Sequence, residues 1–175
     1  EVNPMSVLQL NHHQKGAKKE RSVLTKTEIN ELYRVCKSEL EKVLLGLFYG
    51  CGLRKSEVGK LNLRDLDISK NGAKCLYVRS GKGRKRRVVP LTRNVILDVK
   101  NYLQKERVQR FTYRTKSADK KALLINKIGT RMQGDSLWLL FKTMLLRTGI
   151  KKEISLHHLR HSIATHLLAS GISAV

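Results

Sequence analysis

The sequence has no long apolar run, no paired cysteines and very little acid. Its longest apolar stretch, Val43 to Leu53, covers eleven residues and is interrupted by Gly46, Gly50 and Gly52. A membrane-spanning helix needs roughly 20, so this stretch reads as a core helix. Cys36, Cys51 and Cys75 are scattered, odd in number and without a Cys-x-x-Cys pair. That spacing speaks against a structural metal or a disulfide framework and suits a reducing cytoplasm. No charged-then-apolar leader pattern opens the chain, which also leads us to expect a cytoplasmic protein. Acid is the scarcest commodity: 14 Asp and Glu face 36 Lys and Arg, for a formal charge of +22. A field of that size calls for a polyanionic partner, nucleic acid foremost. An acidic membrane is the weaker choice, because no helix combines a basic face with an aromatic anchor.

What is present is enough for one domain with a real core, given 175 residues of which 41% are hydrophobic. Residues 1–21 are polar and basic, lack core-building periodicity and read as an interdomain linker. The chain opens on Glu1, so it is expected to be a piece of something longer. Thr25 and Glu28 have the spacing of a capping box, opening a helix that turns Ile29, Leu32, Tyr33 and Cys36 inward. A more apolar helix is expected from about Glu39 to Tyr49, and a short one from Lys55 toward Leu61. The period then falls to two. Residues 67–69, 76–79 and 87–89 read as short strands joined by Lys70-Asn71-Gly72 and Gly81-Lys82-Gly83. Thr92 opens a helix to about Lys105, and 107–121 reads as a long basic connection. Asp135 is expected to cap a helix to about Thr148, and Ser155 the last helix, stopped by Gly171. The expected fold class is mainly α with a small antiparallel β-sheet or hairpin.

Three places carry chemistry. The segment Ser155 to His161 holds three of the six histidines and an arginine in seven residues. His157 and Arg160, at i and i+3, share a helix face. Leu156, Leu159, Ile163 and Leu167 form an apolar ladder for another face. His157 and His161 stand as in helical zinc motifs, but the glutamate such a motif needs is replaced by His158, so no metal is expected. The second place is Gly50 to Glu57. Arg54 follows a glycine-rich break and precedes a helix, where anions are favoured, and Glu57 can orient its guanidinium through a bidentate pair. The third is the acid-free stretch from Ile68 to Leu97, with nine basic residues. Arg79, Lys82, Arg84, Lys85, Arg86 and Arg87 fall within nine positions. Glycines flank Lys82 at an expected hairpin tip, freeing the backbone to approach a ligand, and a two-stranded ribbon fits a DNA groove. Read singly, each place has a bland explanation: satisfied histidines, a helix-start ion pair, a solvated basic face.

Read in order they do not. G-L-R-x-S-E at 52–57, then G-K-G with basic followers and V-V-P-L, then H-x-L-R-H-x-x-A-T-H-L from His157, resemble the tyrosine recombinase (phage integrase) family. The likeness covers roughly Leu24 to Val175. It implies a DNA-breaking-rejoining catalytic domain over residues 22–175 that lacks its C-terminal part. By the resemblance, Arg54 and Arg160 are the phosphate-clamping arginines, Lys82 the hairpin lysine, and His157 the histidine of the H-x-x-R box. Glu57 is the orienting carboxylate, and Arg79, Arg84, Lys85, Arg86 and Arg87 meet DNA. The implied chemistry is strand cleavage and rejoining through a 3′-phosphotyrosine, with no cofactor. The implied partner is double-stranded DNA, not a membrane, with a tetramer acting on paired sites and a mobile-element or bacterial setting. One element departs from the pattern: Tyr33, Tyr49, Tyr77, Tyr102 and Tyr113 all precede the box, whereas the family's nucleophile follows it. The fragment alone is therefore expected to be inactive. A non-cleaving DNA-binding module, or a type IB topoisomerase-like core, stand as alternatives.

Overall fold

The computed structural model describes residues 22–79, 86–111 and 115–171. Residues 1–21, and with them the expected linker, lie outside the described residues, as do Lys82, Arg84 and Lys85. The described part is mainly helical. Helix α1 (Lys26–Arg34) starts at the anticipated capping box: Thr25 Oγ1 accepts from the Glu28 N–H at 3.1 Å, and the Glu28 carboxylate accepts from the Thr25 N–H at 2.7 Å. Helix α2 (Glu39–Leu45) runs into a π-helical turn at Gly46–Gly50 and is buried almost throughout. A Cβ on Gly50 would lie 2.9 Å from the Val95 side chain, so glycine is what lets this turn pass close to Val95. After the short α3 (Lys55–Lys60) come β1 (Leu66–Asp67), β2 (Cys75–Val78) and β3 (Arg87–Pro90), an antiparallel sheet in sequence order. Helices α4 (Arg93–Asn101), α5 (Ser117–Lys120), α6 (Gly134–Leu145) and α7 (Leu156–Ala169) complete the order.

The strand pleat sorts the sheet's side chains. Leu76 pairs with Val89 and Val78 with Arg87, so these four share one face. Leu76 and Val78 on that face are buried in the main core with Leu44, Phe48, Leu53 and Leu159. The outer face carries the exposed Tyr77 and Val88. The alternation places Arg87 on the core-facing side, while Arg86 beside it is exposed.

Three expectations about the fold need correction. The stretch 107–121 is not one long connection: α4 continues as a π-helical segment through Arg107, followed by a 3₁₀ turn at Val108–Arg110. Arg107 is buried, not a solvated base, because its guanidinium fills three carbonyls, Lys120 and Ala122 at 2.7 Å and Leu123 at 3.2 Å. Helix α6 is preceded by Gln133, and Asp135 sits inside its first turn, where a negative charge still suits the helix dipole. The apolar ladder of α7 holds only in its first half: Leu156 and Leu159 are buried, Ile163 is half-buried and Leu167 is exposed.

Ser162 is fully buried on α7 instead. Its hydroxyl accepts from the Leu24 N–H at 2.9 Å and donates to the His158 carbonyl at 2.7 Å, tying the domain's first described residues to its last helix. Ser162→Ala would strip a buried N–H of its acceptor. The expected cost is about 1–3 kcal/mol, read as a lower urea midpoint with an unchanged slope. An unchanged midpoint would refute the tie.

Candidate functional site

Two chain segments build the site, and both are placed by backbone chemistry. Gly52 adopts φ 60°, a left-handed conformation that glycine takes without steric cost. The Gly52 carbonyl accepts from Arg160 Nη1. Leu53 is buried beneath, and Arg54 becomes the residue that precedes α3. Thus α7 delivers one arginine to the glycine turn from which the other arises. Arg160 is half-buried. Burial first, and then the positive charge of Arg54, holds its guanidinium below the ordinary arginine range. Two like charges held near each other are an arrangement for an anion.

Glu57 is 3% exposed. Its Oε2 accepts from the Arg54 main-chain N–H at 2.8 Å, and its Oε1 from Arg54 Nη1 at 3.1 Å. The bidentate pair expected between these two residues is formed elsewhere. Arg87 Nη1 and Nη2 meet Oε1 and Oε2 at 2.7 and 2.8 Å, because the pleat points Arg87 inward to the carboxylate. Burial alone would raise the Glu57 carboxyl. The hydrogen bonds from Arg87, then from the Arg54 backbone, outweigh it and bring the pKa down to about 2. Arg79, likewise expected at DNA, is paired with the buried Asp65.

His157 is exposed and lines a cavity of about 510 Å³ with Leu53, Arg54, Lys55, Ser56 and Trp138. The Trp138 side chain has no counterpart in the sequence reading; one tryptophan on a helix gave no signal of its own. His158, two positions before Arg160, has a different task. Its Nδ1 accepts from the Ser155 N–H at 2.9 Å, so the imidazole closes the first turn of α7. Burial, then the neighbouring His157 and His161, keeps its pKa below the usual histidine value. Among the described residues no three of His, Cys, Asp and Glu gather as metal ligands.

Residues 22–175 match the phage integrase family. The chain belongs to that family. It is 35% identical over 167 residues to the tyrosine recombinase XerD of Oceanobacillus iheyensis, covering 91% of this chain and 54% of that protein. It is 31% identical to the tyrosine recombinase XerA of Pyrococcus horikoshii, covering 85% and 48%. The chain thus spans about half the length of the relatives it matches. Among solved structures, the XerA recombinase crystal structure superposes with a TM-score of 0.70 at 23% identity, over 85% of this chain and 51% of that one. XerH bound to its difH substrate in a pre-cleavage complex gives 0.64 at 22% identity, over 85% and 43%. At these identities the likeness is one of fold.

Among the described residues, the tyrosines of this integrase-family chain have raised pKa values, and two of them hold hydrogen-bond partners. Burial pushes the phenols of Tyr33, Tyr49 and Tyr102 up, away from the phenolate. Tyr49 is committed to His166 Nδ1 at 2.9 Å, and Tyr102 accepts from the Ile125 N–H. Tyr77 stands on the outer face of β2, its pKa raised by its hydrogen bond with Cys75. Tyr113 lies outside the described residues. No helix among the described residues is long and apolar enough to cross a membrane.

Proposed function

We propose that this chain is the catalytic core of a site-specific DNA recombinase, which binds duplex DNA and cleaves and rejoins its strands through a 3′-phosphotyrosine. The observation that carries the reading is the meeting of Arg160 with the Gly52 turn that presents Arg54. Two permanently charged guanidinia at one place suit the non-bridging oxygens of a phosphodiester, whose charge grows as phosphorus becomes pentavalent. The solved complex of XerH with difH, which shares the fold, supports DNA as partner. In this scheme a tyrosine oxygen attacks phosphorus, the bond to the 5′ oxygen breaks, and Lys82 gives that oxygen a proton. His157 assists the proton transfer or hydrogen-bonds a phosphate oxygen. The reverse step, from the 5′ hydroxyl of another strand, rejoins the DNA and needs no cofactor. The domain spans residues 22–175, and the full-length protein acts as a tetramer on paired sites. Arg84, Lys85 and Arg86 meet the DNA backbone.

The test of this reading is a titration with duplex DNA over a series of salt concentrations, following labelled-DNA anisotropy. If roughly six to eight phosphates are neutralised, log affinity falls against log salt with a slope of about −5 to −7. A slope near zero would remove DNA as the partner. Replacing Arg84, Lys85 and Arg86 together lowers affinity for all sequences alike, since phosphate contacts carry no sequence information.

A further inference from the structure

We infer that Arg87 is a positioning residue: by holding both oxygens of Glu57 it keeps the Arg54 guanidinium open toward the phosphate. The inference rests on the recombinase reading above and reassigns a residue that sequence alone places at the DNA surface.

Geometry separates Arg87 from the basic run it belongs to. Arg87 lies opposite the buried Val78 in the ladder, on the core-facing side of the sheet, whereas Arg86 is exposed. Its fork meets the Glu57 carboxylate edge-on through two bonds of 2.7 and 2.8 Å, the geometry for which a guanidinium is suited and an ammonium is not. Arg54, which precedes α3, receives far less: one side-chain bond of 3.1 Å and one through its backbone N–H. A guanidinium has five N–H donors. Glu57 engages one of those of Arg54, so the rest of the fork is left for a ligand in the cavity shared with His157.

Remove Arg87 and the balance changes. Glu57 is buried and charged, and without Arg87 it keeps only the Arg54 backbone N–H at 2.8 Å and one guanidinium bond at 3.1 Å, an under-compensated buried charge that is costly. The bond that best relieves it is the two-pronged pair with Arg54, three residues away on the same short helix start. Arg54 would then turn its fork onto Glu57 and away from the cavity. Arg160 lies within electrostatic reach of Arg54, Arg87 and Glu57. Three positive groups around one negative group leave an excess of two positive charges for the phosphate, and loss of Arg87 halves it.

The experiment uses the full-length protein and a short duplex selected from a random-sequence pool by the wild type's cleavage of it. Arg87→Lys keeps the charge and cannot form the two-pronged pair. Single-turnover cleavage is expected to fall on the order of 10²-fold, as for a misplaced catalytic group, with duplex affinity and its salt slope as in the wild type. A phosphate contact would show itself in Arg87→Gln, which removes the charge: a salt slope shallower by about 1, with cleavage following occupancy. That result, or wild-type cleavage by Arg87→Lys, overturns the inference. Adding Glu57→Gln removes the charge that captures Arg54, so the double variant is expected to regain most of the lost rate; one that cleaves no better than Arg87→Lys also overturns it. Should Arg87→Lys fail to fold by circular dichroism, the pair Arg87→Gln with Glu57→Gln buries no unpaired charge. Its cleavage must then exceed that of Arg87→Gln alone, and equal rates overturn the inference. A wild type that selects no duplex removes the recombinase reading, and this inference with it.

Discussion

Arg160→Ala in the full-length protein is expected to reduce strand cleavage on the order of 10²–10³-fold while leaving duplex affinity within a few-fold. A single donor aimed at a developing oxyanion is worth about 3 kcal/mol or more in the transition state. Most of the affinity instead comes from the many bases that meet backbone phosphates at distance from the reacting phosphorus. Arg54→Ala should match it, since Arg160 bonds the turn from which Arg54 arises and its guanidinium feels the charge of Arg54. Arg160 also anchors the Gly52 carbonyl, so Arg160→Lys serves as a control: it keeps a charge and a donor there, yet lacks the fork, and should remain slow. Cleavage by the wild type should persist in the presence of a chelator, because the arginines supply the positive charge. Loss of affinity in step with loss of cleavage would assign both residues to binding, and cleavage abolished by the chelator would contradict the assignment.

The legible part of the site was the part written in local spacing. Arg54 and Glu57 stand three apart at a helix start, and His157 and Arg160 three apart on a helix, so the 3.6-residue period alone put each pair on one face. The small sheet showed in the switch of period from 3.6 to two. What stayed hidden depended on register or on distant partners. Arg84 to Arg87 read as one run of bases until the pairing of Val78 with Arg87 fixed which of them faces inward. Arg107 read as part of a basic connection because its partners are backbone carbonyls of 120–123, which have no signature in a sequence. Arg131, on the carbonyls of Gly59 and Leu61, and Arg147, on Val35 and Glu41, are spent the same way. Fewer guanidinia are therefore free to contact a polyanion than the formal charge of +22 suggests. The buried Ser162 takes the inward position beside Ile163, where the apolar ladder was expected to continue, since a serine with two backbone partners can be buried.

Lys82→Ala should be slow on ordinary DNA and substantially restored on DNA with sulfur in place of the 5′ bridging oxygen. The departing group decides this. An alkoxide, whose conjugate acid is about as weak as water, leaves poorly at neutral pH and gains from a proton delivered in the transition state. A thiol has a pKa of about 8.5, so the thiolate departs without help, and a general acid becomes dispensable. Lys82 sits between Gly81 and Gly83 in the sequence, and the leaving group's need for a proton is what such a lysine would meet. Arg160→Ala gives the contrast. In the proposed scheme its guanidinium stabilises charge on oxygens that the sulfur does not replace, so its defect should persist on both substrates. Equal rescue of the two variants would mean that sulfur merely accelerates any slow enzyme, and no rescue of Lys82→Ala would take the proton from another group. His157→Ala belongs in the same series: a residue that hydrogen-bonds phosphate should follow Arg160, and one that shares the proton transfer should follow Lys82.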